Sequence, residues 1–155
     1  MKGNDKLINI LNQLLADELT AINQYMVHSE MCDSWGYEKL HKAIEQQAID
    51  EMHHAEWLIG HILALEGMPI VSQLNPLQIG KQVPEMVAND TEAELGAIRA
   101  YNAAIRLARE VDDQVTADLL IKILKMENDH AGWNEQQRDQ IAQMGLETYL
   151  SRQLA

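Results

Sequence analysis

Several residue types are scarce in this chain, and each shortage narrows the range of possible folds. Phenylalanine is absent and aromatic residues make up only 5% of the 155 residues, so a hydrophobic core must be built mainly from Leu, Ile, Ala and Met. These residue types favour helices. All three prolines lie between Gly67 and Pro84, which leaves the rest of the chain free to be helical. The length suits one domain over residues 1–155 with a substantial core.

Positive charge is also scarce. Twelve basic residues oppose 24 acidic ones, and the formal charge of −12 repels a nucleic-acid backbone, so we expect cationic partners and no nucleic acid. The single Cys32 excludes an intrachain disulfide framework and fits a reducing compartment. The sequence has neither a basic leader nor an apolar run of about 18 residues, so we expect a soluble, cytoplasmic protein without a membrane segment.

Hydrophobic periodicity predicts four long helices and a short fifth one. We place the first from Asn4 or Asp5 to about Asp33, with Gly36 in the turn that follows it. The predicted ranges of the later helices are 38–66, 84–110, 114–144 and 146–153, with Gly67 as the residue that ends the second helix.

The segment from Gly67 to Val83 is long for a compact domain, and the predicted topology gives it a reason. The second helix is about 40 Å long at 1.5 Å per residue. An extended segment of about sixteen residues reaches roughly 50 Å, enough to return along the whole bundle. We therefore predict an all-α fold, a four-helix bundle with one long crossover between the second and third helices and a short C-terminal fifth helix.

Acidic and imidazole residues interrupt the apolar stripes of these helices. Glu51 and His54, three residues apart, share one helix face with Leu58 and Ile62, at positions that normally bury apolar side chains. A buried carboxylate is costly unless it is protonated, paired or bound to a metal. The same pattern recurs 76 positions later, and the doubled set is Glu18, Glu51, His54, Glu94, Glu127 and His130.

The composition of this set favours a paired-metal site. Four carboxylates balance two divalent cations, and oxygen and imidazole donors without thiolate favour iron or manganese over a closed zinc site. A third Glu-x-x-His, Glu38 to His41, is discounted because it opens a helix and has no counterpart 76 positions later. In the predicted division Glu51 and Glu127 bridge the metals, while Glu18 with His54, and Glu94 with His130, hold one metal each.

Around these motifs the chain resembles the bacterioferritins along essentially its full length. The resemblance is carried by the segment 50–56, by Leu65–Pro69 after the second helix, and by Glu127–His130. It implies a ferritin-like fold and a di-iron ferroxidase centre that oxidises Fe(II) with dioxygen or peroxide. It further implies ferric mineral stored in a hollow shell of 24 subunits built from dimers, and a ferredoxin-type reductant for iron release.

The resemblance also assigns roles to residues outside the six. It implies that Met52 of each of two subunits binds a shared b-type haem, iron protoporphyrin IX or a variant. Tyr25, Trp35 and Trp133 match aromatic positions that surround the centre in that family and give up an electron during iron oxidation. Asp50 is a candidate for holding iron at the cavity surface, although position 46 is Gln where some family members have His.

Two other functions are compatible with parts of the pattern. A rubrerythrin-like di-iron peroxidase or oxidase would turn over peroxide without storing mineral, but its usual form needs a Cys-x-x-Cys pair that this chain lacks. A non-enzymatic shell that binds haem or protects DNA fits poorly, because the chain is acidic, has no basic tail and carries a complete ligand set.

Overall fold

The computed structural model describes residues 1–155 and is entirely helical. Its elements are α1 (Asp5–Ser34), α2 (Glu38–Ala64), α3 (Val83–Glu110), α4 (Gln114–Met144) and α5 (Leu146–Ser151). The predicted all-α architecture, four long helices with one long crossover and a short fifth helix, is confirmed. No helix combines the length and the apolar character that crossing a membrane requires.

The helix ends follow local sequence. Asn4 accepts a hydrogen bond from the Leu7 N–H at 3.1 Å, which caps α1, and the Asp113 carboxylate accepts from the Thr116 N–H at 3.0 Å, which caps α4. Pro84 stands in the first turn of α3, where its missing N–H costs no hydrogen bond.

The end of α2 differs from the prediction. The helix stops at Ala64, and the left-handed residue that terminates it is Glu66, with φ +61°, rather than Gly67. Gly67 is instead required by space, because a Cβ there would lie 2.9 Å from Ile8 Cγ2 and 3.0 Å from Ile62 Cγ2. Because Gly67 has no side chain, the chain can pack closely against α1 at the point where it leaves α2.

The crossover, residues 65–82, is held on one stripe of α1. Side chains four residues apart accept backbone N–H groups from it: Thr20 from Asn75 at 2.9 Å, Gln24 from Gln78 at 3.0 Å, and His28 from Gly80 at 2.9 Å. The buried Asp90 carboxylate on α3 accepts from both Gln24 and His28 at 2.9 Å. These bonds give a long segment without secondary structure a defined course along the bundle.

Two apolar clusters fill the bundle, one toward each end. The larger contains Leu11, Leu58 and Leu120, and the smaller contains Cys32, Leu40 and Tyr149. On all four long helices the predicted ligand residues fall between the stretches that supply these clusters. The fold thus places one polar layer between two hydrophobic cores.

Candidate metal centre

All six predicted ligand residues lie in this polar layer and are removed from solvent. Their exposed fractions are 0% for His54 and Glu94, 1% for Glu51 and Glu127, 2% for Glu18 and 7% for His130. Helical periodicity brings them inward, since each follows the apolar stripe of its helix. So many ionisable groups cannot all remain charged in a dry interior without compensation.

The six residues form two groups of four that share two members. In the first, Glu18 and His54 join the shared pair Glu51 and Glu127, and the ligand atoms all lie within 4.8 Å of one another. In the second, Glu94 and His130 join the same pair within the same limit. The cluster thus consists of two outer carboxylate–histidine pairs around two central carboxylates.

Both imidazoles turn Nδ1 toward the carboxylates. His54 Nδ1 lies 2.8 Å from Glu127 Oε1, 3.3 Å from Glu51 Oε2 and 3.5 Å from Glu18 Oε2. His130 Nδ1 lies 3.0 Å from Glu51 Oε1 and 3.5 Å from Glu94 Oε1. The two rings stack with centroids 6.4 Å apart, so each histidine serves one side of the shared carboxylate pair.

The outer nitrogens have different partners. Nε2 of His130 lies 2.9 Å from Asp50 Oδ2, and Nε2 of His54 lies 3.2 Å from Met126 Sδ. These partners keep a proton on Nε2 of each ring, so that a cation which displaces the proton from Nδ1 finds a lone pair there, the form in which imidazole binds a metal.

Two buried tyrosines extend the internal repeat beyond the six ligands. The Tyr101 hydroxyl donates to Glu18 Oε1 at 2.5 Å, and the Tyr25 hydroxyl donates a short hydrogen bond to Glu94 Oε1. Tyr25 and Tyr101 are themselves 76 positions apart, so each half of the chain supports the outer carboxylate of the other half. Tyr25 was expected near the centre from the family resemblance, whereas the contact of Tyr101 was not expected, although the same 76-residue spacing indicates it.

The electrostatics show how the protein tolerates this cluster. Burial, reinforced by the charge of Glu18, raises the pKa values of Glu51 and Glu127 well above the ordinary range. Burial also opposes ionisation of Glu18, but hydrogen bonding to neighbouring groups, chiefly Glu51 and His54, outweighs it and lowers the pKa of Glu18.

The pKa values of the two histidines are raised as well, but for a different reason. Burial disfavours the charged form of His54, but the adjacent Glu127 and Glu18 outweigh it and raise its pKa to about 9. Burial likewise opposes the charged form of His130, and Glu94 and Asp50 raise its pKa. Protons on these groups thus supply the positive charge that two cations would otherwise bring.

Several donor atoms point into the centre without a partner. Glu18 Oε2, Glu94 Oε2 and Glu127 Oε1 are buried and receive no well-aligned hydrogen bond, although His54 Nδ1 comes within 2.8 Å of Glu127 Oε1. Buried oxygens of this kind are normally satisfied, so the residues fit a pair of cations.

A cavity of about 540 Å³ opens from the surface between α1, α3 and the crossover and is lined by Glu18, Glu51 and Glu127.

The other predicted residues divide between the centre and the surface. Asp50 contacts His130 and belongs to neither group of four. Met52 is 44% exposed, on the surface formed by α1 and α2. Trp133 is half-buried against the smaller apolar cluster, which contains Tyr25.

The expectation that Trp35 lies beside the centre is wrong. It is 42% exposed at the α1–α2 turn, with its ring against Tyr37 at 6.2 Å, and a helix places it about 25 Å from Glu18. A different aromatic residue occupies the expected place: the Trp57 ring lies 5.6 Å from that of His54. Trp57 and Trp133 each follow a ligand histidine by three positions, a repeat that would have indicated Trp57.

Comparison with known proteins identifies the family to which this chain belongs. A family model described as a ferritin-like domain matches residues 8–144. Among curated proteins, the bacterial ferritin of Synechocystis sp. is 41% identical over 100% of both chains. The bacterial ferritin of Paramagnetospirillum magnetotacticum is 41% identical over 97% of this chain and 93% of its own. The bacterioferritin of Brucella melitensis is 37% identical over 96% of this chain and 92% of its own. The chain therefore belongs to the bacterioferritins, within the ferritin-like family.

Proposed function

We propose that this protein stores iron and that it oxidises Fe(II) to Fe(III) at the paired site described above. The observation that carries the proposal is the pair of buried four-residue groups that share Glu51 and Glu127. The names of the relatives, bacterial ferritin and bacterioferritin, support iron as the metal.

The ligand set is matched to two ferrous ions. Four carboxylates neutralise two divalent cations, and the two Nδ1 atoms supply one nitrogen donor to each side. Glu51 and Glu127 bridge the ions, while Glu18 with His54, and Glu94 with His130, bind one ion each. Few protein ligands per ion leave coordination positions open to an oxidant.

Iron is the substrate of this reaction, and the electron count fixes its stoichiometry. Two ferrous ions supply two electrons, which with two protons reduce one dioxygen to hydrogen peroxide, or one hydrogen peroxide to two water molecules. The protein contributes position and charge: it holds both ions side by side among buried carboxylates. The ferric product passes to the mineral.

The cavity between α1 and α3 gives ferrous ions a path to the site. Asp17 and Glu92 line it together with the ligands Glu18 and Glu127. Because carboxylates along a cleft raise the local concentration of cations, this path favours ferrous ions over anions. The formal charge of −12 acts in the same direction over the whole chain.

The surface around Met52 fits a haem group. A cavity of about 300 Å³ there is lined by Ile22, Met26, Ala48 and Ile49 as well as Met52. Met52, an exposed thioether beside apolar side chains, would hold the haem iron, and Met52 of a second copy would supply a second thioether. When bound, a b-type haem, iron protoporphyrin IX or a variant, carries single electrons between the outside and the stored iron.

We further propose the assembly that storage requires. Dimers sharing a haem build a hollow shell of 24 subunits in the cytoplasm, and a ferredoxin-type reductant supplies electrons for iron release. The size and visible spectrum of the purified protein test this directly. A large shell with a haem Soret band supports storage, whereas a small colourless dimer would favour a rubrerythrin-like oxidase or peroxidase.

The oxidation step is tested by removing ligands. Glu18→Ala removes an outer carboxylate and Glu127→Ala removes a shared one, so both variants should lose the rapid phase of Fe(II) oxidation followed by ferric absorbance in stopped flow. Glu135→Ala, at an exposed position on α4, is the matched control and should oxidise iron like the parent. Unchanged kinetics in both ligand variants would refute the assignment.

A further inference from the structure

The two histidines of the centre are equivalent in the internal repeat, but their outer partners are not. Asp50 and Met126 occupy corresponding positions, 76 residues apart, and each contacts the histidine of the opposite half. One position of the paired site is therefore supported by a carboxylate and the other by a thioether.

The support of His130 is strong and oriented. Asp50 Oδ2 lies 2.9 Å from His130 Nε2, and its other oxygen, Oδ1, accepts a hydrogen bond from Gln46 Nε2 at 3.0 Å. The amide thus fixes the carboxylate, and the carboxylate fixes the ring with its Nδ1 facing Glu51 and Glu94. A carboxylate in this role also makes the imidazole a better electron donor to a cation.

The support of His54 is weaker. Its Nε2 lies 3.2 Å from Met126 Sδ, and thioether sulfur is a weak, uncharged acceptor. The Trp57 ring is tilted against that of His54, with their centroids 5.6 Å apart. His54 thus keeps the correct tautomer without the added negative charge that Asp50 brings to His130.

The remaining ligands do not offset this difference. Each outer carboxylate accepts a hydrogen bond from a buried tyrosine, Glu18 from Tyr101 and Glu94 from Tyr25, and both sides share Glu51 and Glu127. The asymmetry is therefore concentrated at positions 50 and 126.

We propose that Asp50 is a positioning residue that makes the two cation positions unequal, an inference that rests on the proposed paired-metal site. The position bound by Glu94 and His130 fills first and holds its ion more tightly. The position bound by Glu18 and His54 fills second and exchanges its ion. Removal of such an outer partner typically costs about 10- to 100-fold in metal affinity, which sets the expected separation.

Cobalt(II) is a suitable probe, because it is divalent, binds the same donor atoms as Fe(II) and is oxidised by air much more slowly than Fe(II). The full-length protein, freed of metal, is titrated with cobalt(II) while the visible absorption is followed, and the ion is located by anomalous scattering in crystals grown with one equivalent per chain. Two binding steps of unequal affinity are expected, with the first ion beside His130.

Exchange of the two partners provides the matched variants. Met126→Asp should raise the cobalt affinity of the weaker position toward that of the stronger one. Asp50→Met should lower the affinity of the stronger position by about 10- to 100-fold. The double variant Asp50→Met with Met126→Asp should reverse the order and place the first ion beside His54. Circular dichroism and the size of the assembly show whether each variant folds.

The outcomes separate this inference from the function on which it rests. Equal occupancy at one equivalent in the parent protein, or an unchanged order in the double variant, overturns the inference and leaves the paired site standing. Absence of cobalt from both positions overturns the paired site and the inference with it.

Discussion

Filling the centre with divalent cations should release protons, and His54 sets a lower bound on their number. Its pKa of about 9 means that about 99% of the imidazole is protonated at pH 7, against about a quarter at the ordinary value near 6.5. A metal-bound imidazole carries no proton on Nδ1, so His54 alone should give up about one proton per pair of cations. Glu51 and Glu127, whose pKa values are also raised, add to this number.

The sign of the pH dependence follows from the same values. Below pH 9 protons compete with the cations for His54, so metal affinity should rise with pH and level off above pH 9. Calorimetric titration with cobalt(II) in two buffers of different ionisation enthalpy counts the protons released. At least about one proton per pair is expected at pH 7, and a release below about a quarter of a proton would refute the assignment of a charged His54 in the metal-free centre.

Two further predictions concern the bundle around the centre. Gly67→Ala should lower the free energy of unfolding by about 1–3 kcal/mol, because the added Cβ meets Ile8 and Ile62. The loss is measured as a lower thermal midpoint. Gly60→Ala, where a Cβ meets nothing within 4 Å, is the control and should stabilise α2 by about 0.5–1 kcal/mol. Cys32 is fully buried and burial raises the pKa of its thiol to about 11, so thiol reagents should modify it in denaturant and spare it in the native protein.

Periodicity and repetition made the main features of this protein predictable from its sequence. Helix positions followed from the spacing of apolar residues, and Glu51 and His54 stood out because they interrupt that spacing at seam positions. The displacement by 76 then doubled the motif, so the groups that meet in the structure could be named in advance. Burial in the bundle is a direct consequence of the same pattern.

What the sequence did not reveal depends on contacts between distant segments. The crossover hydrogen bonds from Thr20, Gln24 and His28 use side chains that look like ordinary polar positions until the chain returns past them. Trp35 was misplaced because resemblance carries no information on how far a side chain lies from the centre. The close approach of Gly67 to Ile8 on α1 is likewise a contact between distant segments, and the left-handed conformation falls on Glu66 beside it rather than on the glycine.

The central claim is that the six buried side chains bind two cations at once, bridged by Glu51 and Glu127. The most direct measurement is a crystal structure of the protein saturated with ferrous iron without oxygen, with the metal located by anomalous scattering at the iron edge. Two peaks about 3.5–4 Å apart are expected, one beside His54 Nδ1 and one beside His130 Nδ1. A single peak, or iron only on the surface, would contradict the claim.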